Sequence, residues 1–357
     1  MGPTAEAGEA SRAAAAITVL AIPPIPVGSS PVGLAFIPSG DLYVTNSGSA
    51  NVSLISTATD TVVGAPIPVG GTPVWLTVAP NGNAYVPNSG SNTVSVISTV
   101  TNTVVGAPIP VGNQPAVAVV IPNGDVYVAN FAANTVSVID TATNTVVGAP
   151  IPVGGQPVGM AVAPNGNAYV CNRGSNTVSV IDTATNTVVG APIAVGNQPN
   201  FVAIAPNGNA YVVNIGSNNV TVIDTVTNTV VGAPIPVGSG PIAVAVGVNG
   251  KVYVTNINSN SVSVIQFAPT LTTISPTQGL TTGGTLVTIT GTNLTGASVD
   301  IGGNPATGVS VNPAGTQITA ITPPGGPVRP PSPSPPLVAA PAWWVATSTS
   351  SPSTPPR

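Results

Sequence analysis

The commonest catalytic base is missing from this chain: among 357 residues there is no histidine. A Ser-His-Asp or Cys-His arrangement and any histidine-ligated metal are therefore impossible. The single cysteine, Cys171, rules out an internal disulfide. It stands in a variable place where equivalent stretches carry Thr45, Pro87, Ala129, Val213 and Thr255, so a small buried residue is expected. Carboxylates recur at Asp140, Asp182 and Asp224, but Ser56, Ser98 and Gln266 occupy the matching places. An aspartate exchangeable with serine beside Thr-Ala-Thr-Asn reads as a turn cap accepting backbone N–H bonds. Asparagines at 46, 88, 130, 172, 214 and 256 could form a ligand-holding ring, yet bracing a loop is the simpler role. No catalytic residue, cofactor or tightly bound metal is expected; calcium on carbonyl and Asn/Asp oxygens would be the exception.

What positions these residues is a repeat. The six tyrosines, Tyr43, Tyr85, Tyr127, Tyr169, Tyr211 and Tyr253, are spaced by 42 without a slip. A proline precedes each by 12 residues and an asparagine follows by 3. A fixed period near 40 filled with strand-type sequence is the mark of a β-propeller, one blade per repeat. The fourth copy reads PVGMAVAP, an Asn-Gly turn, AYVCN, a loop, TVSVID, a second turn and TVVGAPIAVG: four antiparallel strands. Paired prolines in the last of these (66/68, 108/110, 150/152, 234/236) place it on an outer edge, where missing N–H groups cost nothing and deter association.

First, second and third strands each occur six times. Fourth strands also occur six times, but the first of them, 17–27, precedes everything else. The expectation is an all-β six-bladed propeller over 17–267, with the N-terminal strand pairing 261–266 to close the ring, behind a disordered segment 1–16. Residues 13–22 resemble a signal-peptide core but follow Glu6 and Glu9, so no export signal is visible.

The motif Tyr-Val-Thr-Asn stands unaltered at 43–46 and 253–256, and Val-Ile-Asp recurs at 138–140, 180–182 and 222–224. The repeats resemble the YVTN family of propellers. That resemblance implies a protein of the cell surface or exterior. Surface-layer proteins and lyase- or lactonase-like enzymes are among the relatives, many of which are seven-bladed. After Phe267 the period stops. Ile274-Ser275-Pro276, Gly283-Gly284-Thr285, the stretch 289–294, Gly302-Gly303 and Thr322-Pro323-Pro324 resemble an IPT/TIG domain, an immunoglobulin-like sandwich over 269–328. That domain implies a binding or spacer module. It lacks a last strand, and a Pro/Ser-rich tail, 329–357, is expected to be disordered. Read from third codon positions, 331–336 permits Val-Thr-Val-Thr-Thr, the kind of strand that is missing, so a frameshift is expected there.

Only 4% of residues are charged and the net charge is −4, which excludes a basic nucleic-acid footprint and a polybasic membrane patch. Mean hydropathy is +0.44, yet no 18-residue apolar run occurs, so no transmembrane segment is expected. The turns on one side of the repeats barely vary. The loops on the other carry Trp75, Phe131, Arg173, Asn200, Phe201, Ile215 and Ile257 where other copies differ, and these form the candidate binding face. The reading is a monomeric, non-enzymatic binding or structural protein whose partner is a protein or polysaccharide. The alternative is a propeller enzyme of lyase or lactonase type.

Overall fold

The computed structural model describes residues 23–247, 250–266, 270–292, 294, 296–312, 315–324 and 346–347. Every regular element among them is a strand. Five sheets, numbered one (31–68), two (77–110, with the bridges of Pro73 and Trp75 before it), three (115–152), four (157–194) and five (199–236), share one topology. In sheet four the inner strand Pro157–Val162 runs antiparallel to Asn167–Asn172, and that strand to Thr177–Asp182. The outer edge is then taken by two short pieces, Thr187–Val188 and Ile193–Ala194.

Local chemistry explains the connections. At the first turn Gly166, at φ 85°, donates its N–H to the Ala163 carbonyl, and Asn165 Oδ1 accepts from the Asn167 N–H. At the second, Asp182 Oδ1 accepts the Ala184 N–H at 2.8 Å, and Asn186 takes φ 57°, which asparagine tolerates well. Asp140 and Asp224 cap their turns in the same way. The aspartates are turn caps, as expected. The outer strand differs from the sequence reading in one respect. It is interrupted at Gly-Ala-Pro, where Gly64, Gly106, Gly148, Gly190 and Gly232 hold φ of 67–72°. The first proline of each pair lies in the break; the second, such as Pro110 opposite Thr93, is paired at the rim.

The core lies between sheets. Tyr127, Ala129, Val136, Val138 and Ile151 of sheet three pack on Met160, Ala168, Val170 and Ile181 of sheet four, and the other neighbouring sheets repeat this. Five tyrosines, all but Tyr253, are fully buried. Their hydroxyls reach the second turn of the next sheet: Tyr43 to Asn102 Oδ1, Tyr85 to Asn144, Tyr127 to Asn186 and Tyr169 to Asn228, at 2.5–2.7 Å. Burial pushes the hydroxyls of Tyr43 and Tyr127 up to about 12. Cys171 is buried as expected, and burial raises its thiol well above the usual range.

The expected ring closure is not seen among the described residues. Sheet six has three strands, Pro241–Val246, Val252–Asn256 and Ser261–Ile265, and residues 23–27 form no strand beside it. The remainder of the expected closing strand, 17–22, lies outside the described residues, as do 1–16. The inner strands of sheets six and one are not packed together as neighbouring inner strands are. Val262 and Val264 are 57% and 53% exposed, whereas their sheet-five counterparts Val220 and Val222 are buried. On sheet one, Leu34 and Phe36 are likewise exposed. The number of blades in a closed ring is therefore not given by the strand count.

Beyond the array, Thr270–Ser275, Leu286–Thr292, Gln317–Ile321 and Thr307–Val311 form one sheet, with Val287, Ile289, Leu294, Val299, Ile301 and Ile318 as a separate core. The Gly-Gly-Thr and Thr-Pro-Pro motifs meet there: Gly284 N–H donates to the Thr322 carbonyl and Thr285 N–H to Thr322 Oγ1. Of the tail, only Ala346–Thr347 is described. It pairs with Asp300–Ile301, so this part is a strand rather than the expected irregular chain.

Candidate functional site

Each sheet presents two loops on one side, one before the inner strand and one between second and third strands. Backbone bonds tie them together. The N–H of Arg173 donates to the Gln156 carbonyl and that of Gly174 to Gly155; Phe131 and Gln114, Ile215 and Gln198, and Ile257 and Gly240 repeat the pattern. Asn134 Oδ1 accepts the Gln156 N–H and Asn176 Oδ1 the Gln198 N–H, both at 2.8 Å, which links loops of neighbouring sheets. The variable loops thus form one hydrogen-bonded surface on a rigid base.

Four of the seven candidate residues sit on it at a single repeat position: Phe131, Arg173, Ile215 and Ile257, where sheets one and two carry Ser47 and Ser89. The first three are half-buried and Ile257 is exposed. The other three belong elsewhere. Trp75 stands in the inner segment of sheet two, bridged to Val117, and Asn200 and Phe201 lie within the inner strand Pro199–Ile204. Trp75 and Phe201 meet edge to face with ring centroids 5.4 Å apart, joining sheets two and five. Their shared repeat position reads Gly33, Trp75, Val117, Gly159, Phe201, Ala243. The glycines are required: a Cβ on Gly159 would lie 2.4 Å from the Asn200 carbonyl oxygen and 2.8 Å from the Phe201 Cα. Asn200 is buried and donates Nδ2 to the Ile242 carbonyl of sheet six. These three residues lie on inner segments rather than in the loops, and Trp75 keeps 38% of its surface exposed there.

The asparagines brace their loops through Nδ2, while the buried Oδ1 of each has no hydrogen-bond partner among the described residues. Asn172 is buried and donates Nδ2 to Thr177 Oγ1 at 3.1 Å and Ser179 Oγ at 2.9 Å, and its five counterparts behave alike. Gly154 packs so closely that a Cβ there would lie 2.6 Å from the Asn172 amide. Among the described residues no group of three acidic or sulfur side chains could hold a metal. Among the described residues no helix is long and apolar enough to cross a membrane.

A feature the sequence reading missed is a cavity of about 400 Å³ between the loops of sheets four and five, lined by Gln156, Arg173, Gly174, Asn176, Asn197, Gln198 and Gly216. The signal available for it was Gln-Pro at 114–115, 156–157 and 198–199, where other copies have Ser30, Thr72 or Gly240 before the proline.

A model of the IPT/TIG domain family matches residues 269–334. No curated protein matches the chain in sequence. Among solved structures, virginiamycin B lyase from Staphylococcus aureus is similar at 14% identity and TM-score 0.57, over 82% of this chain and 95% of that one. A streptogramin B lyase is 17% identical with TM-score 0.57, over 70% and 85%. A protein of unknown function from Desulfotomaculum acetoxidans is 18% identical with TM-score 0.55, over 67% and 83%. These likenesses show a propeller-like fold.

Proposed function

We propose that the chain is a non-enzymatic binding or structural protein of the cell exterior, its propeller-like array a rigid scaffold for a protein or polysaccharide partner. The observation that carries this reading is the loop surface. One side of the array carries Phe131, Arg173, Ile215 and Ile257 at one repeat position, on loops braced by paired backbone bonds. The opposite turns repeat nearly unchanged. Rigid loops bearing individual side chains are where proteins bind, and arginine and aromatic residues dominate binding energy. The IPT/TIG-like module fits a spacer or second binding unit.

The fold likeness to lyases favours the enzymatic alternative, but at these identities it speaks for fold alone. One of the solved Staphylococcus aureus structures is a histidine-to-alanine form described as catalytically inactive, and this chain has no histidine to fill such a role.

The test is an array of glycans and exterior proteins probed with the purified full chain, followed by the triple variant Phe131→Ala, Arg173→Ala, Ile257→Ala. Loss of the retained ligand with an unchanged melting temperature is expected. Undiminished binding by the triple variant rejects this face.

A further inference from the structure

We propose that the cavity between the loops of sheets four and five binds the carboxylate of an acidic sugar, a uronate within a polysaccharide, with Arg173 as the anchor. The inference deepens the binding reading above and rests on it.

The lining decides the chemistry. Among the described lining residues Gln156, Asn176, Asn197 and Gln198 supply four side-chain amides, Arg173 the one charge, and there is no carboxylate. Among the described residues nothing pairs with the Arg173 guanidinium, although it is half-buried and its backbone is fixed by the Gln156 carbonyl. A guanidinium presents a planar fork of donors that matches a carboxylate in two parallel bonds. Each amide pairs a donor with an acceptor, the pattern that neighbouring sugar hydroxyls complement. Asn176 commits its Oδ1 to the Gln198 N–H, which leaves its Nδ2 as a donor. Among the described residues no aromatic or branched apolar side chain lines the space, so an apolar peptide anchor has nothing to pack on. A volume near 400 Å³ falls at the small end for ligand sites and suits a short stretch of a sugar chain.

The rest of the array provides an internal control. The junction before this one keeps three of the four amides, Gln114, Asn134 and Gln156, with Gly155 in place of Asn197 and Phe131 in place of arginine; the loop of sheet five carries Ile215. Glycines at 174 and 216 keep the walls low, with the Gln156 side chain lying over the first. The charge therefore distinguishes one junction of the series.

The full chain is titrated by calorimetry with trigalacturonate, with its methyl ester, and with a short peptide ending in a free carboxylate. Binding of the free acid, weakened at least about tenfold by esterification, is expected. Arg173→Ser should lose the same factor while keeping the fold, because serine already occupies this place at Ser47 and Ser89. Arg173→Lys should retain part. The proposal is overturned by an unchanged Kd in Arg173→Ser, by equal binding of acid and ester, by no binding of the uronate, or by peptide binding in its place. In each of those cases a ligand lost on the Phe131 and Ile257 changes alone would leave the broader binding reading standing.

Discussion

Tyr127 donates its hydroxyl to Asn186, 59 residues ahead in the turn of the next sheet, while its ring fills the space between the two sheets. One side chain thus serves as core, as lock between neighbours and as clamp on a turn. Any insertion between tyrosine and asparagine would break all three, which is the physical reason for a period without slips. The tyrosine-to-asparagine spacing within a repeat was legible in the sequence; the partner in the following repeat was not, because nothing in one copy says which sheet its neighbour is. The chain has no histidine and few carboxylates, so its stability should be insensitive to pH through neutrality. A folded pKa raised to about 12 from 10 for Tyr43 and Tyr127 contributes stability that is fully present below pH 10 and lost as pH rises through 12. Melting temperatures flat up to pH 10, then falling in step with tyrosinate absorbance, are expected; an unfolding midpoint far below pH 10 would contradict the burial argument. A second expectation concerns Gly154. Alanine there puts a methyl 2.6 Å from the Asn172 amide, and overpacking of this kind costs about 2 kcal/mol. Denaturant unfolding reads it directly.

At the level of elements, the sequence was most informative where a residue type has only one tolerable environment. Proline pairs belong at an unpaired edge, and the structure puts the second of each pair on the rim and the first in the break before it. The break at Gly-Ala-Pro was not legible, because a short apolar run flanked by glycine looks the same whether the strand is continuous or interrupted. The inner strands were misjudged for another reason. Differences between copies mark where repeats individualise, without saying whether the place is a loop or a crowded centre. Trp75 and Phe201 individualise the centre, and Gly33 and Gly159 make room for them. The prolines also predict behaviour. Replacing Pro108 and Pro110 by valine restores an N–H donor on the exposed edge at 110 and another in the break before it. The variant should keep its secondary structure and associate at concentrations where the parent does not, as read by light scattering. A variant that stays dispersed would show that Gly106, at φ 68°, blunts the edge unaided.

For the whole molecule, the decisive question is what covers the two terminal sheets. In a linear series of repeats each unit is stabilised by its neighbours, so a unit with one neighbour is weaker than a unit with two. Sheets three and four are covered on both faces. Sheet six shows Val262 and Val264 to solvent, and sheet one Leu34 and Phe36. Amide exchange is the measurement that separates an open series from a closed ring, since local opening follows local packing. An open series predicts graded protection: highest at Tyr127–Asn130 and Tyr169–Asn172 in the second strands of sheets three and four, lower at Val252–Asn256 and Leu42–Asn46 in sheets six and one. A ring closed by residues 17–22 beside Ser261–Ile265 predicts equal protection in all six second strands. It further predicts a drop throughout the array on deletion of the first 22 residues. Charging the terminal faces sharpens the test. Phe36→Asp and Val264→Asp should shift stability by no more than about 0.5 kcal/mol if those faces meet water, and by several times that if they meet each other. Graded exchange together with silent charge substitutions would establish two free ends. Uniform exchange with costly substitutions would restore the ring that the strand count predicts.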